Sequence, residues 1–242
     1  MKNLLLSALA VFALGCSSAW AADPLVAMQE APVASWTGCY VGGNAGGGWS
    51  HIDQKNVGLV NGTIDDPPLD YGSGSGSGFV GGAQLGCDYQ MDRWVFGVQG
   101  MFDFGDIKGS HVITAFPTFN FEDNVKELFT VTGRAGYLFD PAVLGYVKAG
   151  GAWAKVDSAL YRSGPPQSLS QSDSYGQLGW TVGVGAEWKF ARNWSVFGEY
   201  NYMDFGKHDV TYTLAPGAGG SAGIVSTKLT VQQAIIGLNY RF

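Results

Sequence analysis

Few side chains in this 242-residue chain are of a type that does chemistry. The histidines are His51, His111 and His208. A hydrolase needs one of them beside a nucleophile on a shared face, with a third group to orient it. Ser110 and His111 are adjacent in sequence, so in an extended chain they point to opposite faces. The three histidines are also candidates to converge on a metal or haem, but no regular spacing marks them as ligands. Beyond residue 21 the cysteines are Cys39 and Cys87, a candidate disulfide if their strands bring the Cα atoms within about 7 Å. The alternative is two small apolar residues on an apolar face. The charges say more. Arg134, Lys148, Glu187, Glu199 and Arg241 all sit on the polar parity of alternating segments, which suits a mutually neutralising structural network in an enclosed interior better than catalysis. No enzyme activity, metal site or cofactor is expected.

The elements that position these residues are strands. With 37 glycines and 14% aromatic residues, the composition favours many short strands and turns. From Trp36 onward, eight stretches alternate apolar or small residues with polar ones. In the sixth, Trp180, Val182, Val184, Ala186, Trp188 and Phe190 oppose Thr181, Glu187 and Lys189. In the eighth, Ala234, Ile236, Leu238, Tyr240 and Phe242 oppose Gly237, Asn239 and Arg241. Connections alternate strictly between tight turns (QMDR, DPAV, ARN) and long stretches of about 51–77, 105–126, 156–175 and 206–227. The long stretches therefore lie at one end of an antiparallel meander and the turns at the other. Tracts such as YGSGSGSG at 71–78 and APGAGGSAG at 215–223 read as flexible loops.

Two barrels fit this pattern, a soluble one with its apolar face inward and a membrane one with that face outward. The apolar parity carries aromatics near both strand ends, with Val, Ala, Leu and Gly between. That arrangement fits a lipid-facing band between two interfacial girdles and would fill a soluble core poorly. Trp194 to Tyr202 and Ala234 to Phe242 each span nine residues, within the roughly 9–11 of a tilted membrane strand.

Residues 1–21 carry Lys2, an apolar run from Leu4 to Gly15 and small residues at Ala19 and Ala21, the pattern of a cleaved secretory signal. A competing reading takes Ala13–Cys16 as a lipoprotein cleavage site. Residues 22–35 read as a short periplasmic lead-in, and 36–242 as the barrel. Without residues 1–21 the chain has a net charge of −7, so a nucleic-acid partner is not expected.

The opening WTGCYVGGNAGGGW, the stretch GWTVGVGAEWKFARNWSVFGEYNYMDFG at 179–206 and the ending GLNYRF resemble the small outer-membrane β-barrel family of alphaproteobacteria, often labelled porin-like and including major surface antigens. Cys39 departs from that pattern, where an aromatic is expected. The resemblance implies an all-β, eight-stranded, antiparallel up-and-down transmembrane barrel in the Gram-negative outer membrane, with periplasmic turns and extracellular loops. It further implies that Tyr240 and Phe242 form the signal recognised by the outer-membrane assembly machinery. The expected function is structural: support of the envelope and display of surface loops. A narrow pore for small solutes and a haem- or ligand-binding barrel are the alternatives. Expected partners are outer-membrane lipids, the assembly machinery, and host or phage molecules at the loops.

Overall fold

The computed structural model describes residues 35–59, 64–112, 119–162, 168–213 and 222–242. The signal expected over 1–21 and the lead-in up to residue 34 lie outside the described residues. So does most of the tract at 215–223.

Eight antiparallel strands close into a barrel in sequence order: β1 (Gly38–Leu59), β2 (Ile64–Met91), β3 (Trp94–Val112), β4 (Phe119–Asp140), β5 (Val143–Arg162), β6 (Ser168–Lys189), β7 (Trp194–Thr213) and β8 (Ala222–Arg241). Closure is made by β1 on β8, from Tyr40↔Arg241 to Leu59↔Gly223, so the barrel has no edge strand along that join. The turns are tight. Met91 pairs with Trp94 around Asp92, which holds a left-handed φ of 52° that an aspartate tolerates. Asp140 accepts the Ala142 amide N–H at 2.9 Å in the β4–β5 turn.

The expected parities hold in every strand. Val98, Val131, Val147, Val184 and Ile236 are exposed on the outside, while Gln99, Thr132, Lys148, Glu187 and Gln233 are buried inside. Exposed aromatics ring both ends of the outer band. At the turn end Trp94 meets Tyr137, with ring centroids 5.3 Å apart, and Trp194 meets Tyr240 at 5.1 Å. At the other end Phe102 meets Phe104 at 4.9 Å and Trp180 meets Tyr202 at 5.7 Å. Such rings belong at a lipid headgroup level, and the apolar band between them belongs in hydrocarbon.

The strands run much further than nine residues, and this corrects the expectation of flexible loops. Beyond the second girdle the hairpins continue as sheet; β1 and β2, for example, pair as far as Gly58↔Ile64. The YGSGSGSG tract lies within β2. Its serines at 73, 75 and 77 point outward, and the glycines between them turn into a crowded interior. A Cβ on Gly78 would stand 2.0 Å from Asp106 O, and one on Gly76 would stand 2.6 Å from Ser50 Oγ. These glycines are there for space. A composition typical of linkers thus serves an ordered strand.

Because Val184 sits midway between Trp180 and Trp188 on the lipid face, Val184→Arg should destabilise the folded barrel in bilayers by about 2–4 kcal/mol. Urea titration in lipid vesicles checks this, and an unchanged midpoint would argue that the outer band does not face hydrocarbon.

Candidate functional site: a filled lumen

Lumenal side chains stack in layers along the barrel. At the turn end Trp36, just ahead of β1, is fully buried against Val95, Leu138, Leu144 and Tyr146. Its indole N–H donates to Pro141 O at 3.0 Å and its amide N–H to Gln90 Oε1 at 2.8 Å. Arg241 Nη1 donates to Trp36 O at 2.7 Å, and the Lys189 ammonium lies 4.4 Å from the indole centre while donating to Ser35 O. This tryptophan stoppers the turn end.

Above it lies the charge network. Arg134 grips Asp88 with two donors, Nε at 2.7 Å and Nη2, and reaches Glu187 Oε2 through Nη1 at 3.1 Å. Arg241 Nη2 donates to the same Asp88 Oδ2 at 2.7 Å and lies 4.0 Å from Glu187. Tyr40 and Tyr146 flank Arg134, with its guanidinium carbon 4.8 and 5.1 Å from their ring centres. Lys148 pairs with Glu199 at 2.5 Å and donates to Gln99 Oε1 at 3.0 Å. Glu199 also accepts from the Tyr146 hydroxyl at 2.8 Å and Asn201 Nδ2 at 2.8 Å. Asn239 and Ser195 donate to Glu187, and Gln84 donates to Asn239. Asn44 then bridges Gln84 to Asp103.

The structure places all five charges expected in the lumen there, in two groups: Arg134, Glu187 and Arg241 in one, and the Lys148–Glu199 pair in the other. The sequence reading left out Asp88, the residue on which both arginines converge. The signal was available: Arg134, Lys148 and Arg241 against Glu187 and Glu199 leave one cation unmatched, and Asp88 lies on the polar parity of its strand. Asp103 and the flanking tyrosines were likewise not assigned to the network. Glycine makes room for the hub, since a Cβ on Gly97 would stand 2.1 Å from Asp88 Oδ1. Above the charges the lumen turns apolar, filled by Met101, Leu128, Ile107, Val125, Val156, Met203, Phe205, Leu229 and Val231 among others, all buried.

The other candidates fall elsewhere. Cys39 and Cys87 are register partners on the outer face of β1 and β2, and their sulfurs are 2.04 Å apart in a disulfide. His51 lies on the outer wall, where Nδ1 is 3.2 Å from Ser75 Oγ and Nε2 is 3.4 Å from Asp53 Oδ1. This group resembles a triad in composition, but it is about half exposed on a flat sheet whose backbone N–H groups serve the ladder, so nothing is preorganised to hold an oxyanion. His208 instead stacks on Tyr175, with ring centroids 4.9 Å apart. The His111 side chain lies outside what the structure describes. Among the described residues no three His, Cys, Asp or Glu side chains gather as a metal site.

A closed antiparallel barrel with a lipid-facing exterior and a charge-paired, filled interior is an integral membrane protein of the outer-membrane kind. The chain belongs to the family described as "Outer membrane protein beta-barrel domain", whose profile matches residues 7–242. It is 32% identical over 257 residues to the 31 kDa outer-membrane immunogenic protein of Brucella melitensis, with all of both chains covered. It is 28% identical over 221 residues to the 25 kDa outer-membrane immunogenic protein of Brucella abortus, covering 89% of this chain and 83% of that one. Among solved structures, the outer membrane protein OprG from Pseudomonas aeruginosa shares the fold with a TM-score of 0.54 at 11% identity, covering 85% of this chain and 97% of that one.

Two predictions follow from the interior. Asp88→Ala leaves two buried guanidinium groups without their shared carboxylate, and should cost about 3–5 kcal/mol of stability, read as an earlier loss of the compact, heat-modifiable form on gels. The second concerns Asp123, on β4 beyond the second girdle. It is buried, and its carboxylate accepts from Ser158 Oγ at 2.5 Å. Burial raises its pKa above the ordinary carboxylate value, and the Ser158 hydrogen bond only partly opposes this. Folding thus favours the neutral acid, a contribution present below the unfolded pKa and lost as pH rises through the folded one. Asp123→Asn should therefore raise the urea midpoint at about pH 8 and leave it unchanged at about pH 3.

Proposed function

We propose that this protein is a structural component of the outer membrane, which holds a rigid, closed barrel in the bilayer and presents the sheet beyond the second girdle at the cell surface. The observation that carries this reading is the filled lumen. A solute path would have to run past the Trp36 stopper, the Asp88 hub and the apolar layer, each made of close-packed buried side chains. An eight-stranded barrel is just wide enough for side chains to fill it. The names of the relatives fit the surface half of the proposal, since they are described as outer-membrane immunogenic proteins.

In this reading an amino-terminal signal peptide directs export, the turns face the periplasm and the extended hairpins face outward, where host or phage molecules would meet them. Lipid is the principal partner. Export ends with insertion by the assembly machinery, for which Tyr240 and Phe242 serve as the address. Phe242 suits that role because its side chain is exposed at the very join of β1 and β8, with its amide N–H donated to Cys39 O at 3.1 Å.

A strain lacking the protein should become sensitive to detergent, and the intact chain should restore resistance. Asp88→Ala, which weakens the barrel without touching the surface, should restore it poorly. Normal detergent resistance in the deletion strain, with a defect confined to uptake of one solute, would contradict the structural role. Deleting Phe242 should reduce surface display several-fold while leaving the little that assembles as stable as the intact barrel; full display of the truncated chain would remove the address from the account.

A further inference from the structure

The ladder between β6 and β7 stops early. It runs from Lys189↔Ser195 to Trp180↔Asp204. On their other sides the two strands stay paired much further, β6 with β5 to Arg162↔Ser168 and β7 with β8 to Thr213↔Ala222. Above Trp180 the described wall therefore contains a seam with no backbone ladder across it. The cause lies in β7. Gly206 takes a left-handed φ of 70°, its N–H is held by Asp204 Oδ1 at 2.7 Å, and the β7–β8 register slips between Asp204 and Lys207. A bulge of this kind bends a strand away from its neighbour.

Side chains bridge the seam from the lumenal side. Gln177 Nε2 donates to Phe205 O at 2.8 Å, and the Tyr175 ring stacks on His208. Immediately behind them lies the apolar layer, against which Tyr175 packs. In front of them, on the outer face at the girdle, stand exposed Leu178 and Trp180. A side-chain closure can swing open while every strand keeps its ladder on its other side.

The surround also contains unanswered acceptors. Gln177 is 6% exposed, and its Oε1 has no hydrogen-bond partner. On the next strands His208 pairs in register with Thr227, and Thr227 with Gln54. Thr227 Oγ1 and Gln54 Oε1 are buried and equally without partners. Buried acceptors of this kind are costly unless a donor arrives. A row of them beside an apolar core, behind a wall closed by side chains, is the composition of a small-molecule site.

We propose that the β6–β7 seam is a side entrance to a lumenal binding site for a small amphipathic molecule, with an apolar ring or chain and one hydrogen-bond donor. The apolar body replaces the Tyr175 ring against the apolar layer, and the donor meets Gln177 Oε1. The site is blind, because the Asp103 and Asp88 layers lie beneath it, so the molecule is held and not passed through. The inference thus goes beyond the structural role and does not rest on it.

The test uses the full barrel refolded into phosphatidylcholine vesicles, with 1-aminoanthracene as the fluorescent probe and protein-free vesicles as background. The intact barrel should show a saturable fluorescence gain. Binding should be at least about tenfold weaker for anthracene, which lacks the donor, and for Gln177→Leu. Thr227→Val supplies a second acceptor deletion if Gln177→Leu fails to fold, and should weaken binding in the same direction. The Tyr175→Cys/His208→Cys barrel should bind until a short bifunctional thiol reagent ties the seam shut, and then lose binding. No saturable gain over vesicles, or equal gain in the tied and untied barrels, overturns the proposal. Equal binding of anthracene and 1-aminoanthracene overturns it too, because the acceptors would then be served by solvent.

Discussion

Two arginines on one carboxylate, deep inside a barrel wall, set the terms for the rest of this molecule. A guanidinium taken out of water needs a partner charge and hydrogen bonds for its remaining donors, and the interior of eight strands offers little else to provide them. Asp88 takes the charge of Arg134 and Arg241 together and Glu187 takes the remainder; Trp36 O and Gly38 O accept from Arg241, and Ser195 and Asn239 donate to Glu187. These residues come from β1, β2, β4, β6, β7, β8 and the segment ahead of β1. A one-residue slip in any of those strands would turn its contribution out toward lipid, so the network fixes the register of nearly the whole barrel.

The layered interior follows from the same constraint. Charge pairs fill the level where the wall faces hydrocarbon, and an apolar plug fills the level above, where the wall faces water. In the bilayer the lumen thus carries the charge pairs behind an apolar wall; beyond it, apolar side chains fill most of the interior around a few buried polar groups, among them Gln54, Asp123 and Thr227. The upper part is folded like a soluble barrel standing on a membrane barrel. That explains why hairpins full of serine and glycine remain sheet far above the second girdle, since Ile52, Ile107, Val125, Val156 and Leu229 give them a core of their own.

Much of this was legible in the sequence, and the parts that were not share a physical cause. Period-two alternation reports which way a side chain points, so strand number, faces and girdles could be read from Trp94, Val184 or Ile236 directly. The five lumenal charges were readable for the same reason. Parity does not report distance across a lumen, and so Asp88 could be placed inside without being recognised as the shared partner. Glycine carried a second ambiguity. Composition alone cannot tell a Gly-Ser linker from a strand whose glycines face a crowded interior, and the 71–78 tract is the latter. The loss of pairing between β6 and β7 was invisible, because it depends on the backbone at Gly206 and leaves the alternation of both strands intact.

The central claim is that buried charge pairs and packed apolar side chains close the lumen between the turn end and the apolar layer. Single-channel recording across planar bilayers tests it most directly, with the purified, fully folded barrel added to one side. The account predicts no stable conducting state from the intact barrel, and none from a barrel that lacks only the Trp36 stopper, because the Asp88 hub and the apolar layer still close the lumen. Long-lived, uniform channels from the unmodified protein would contradict it.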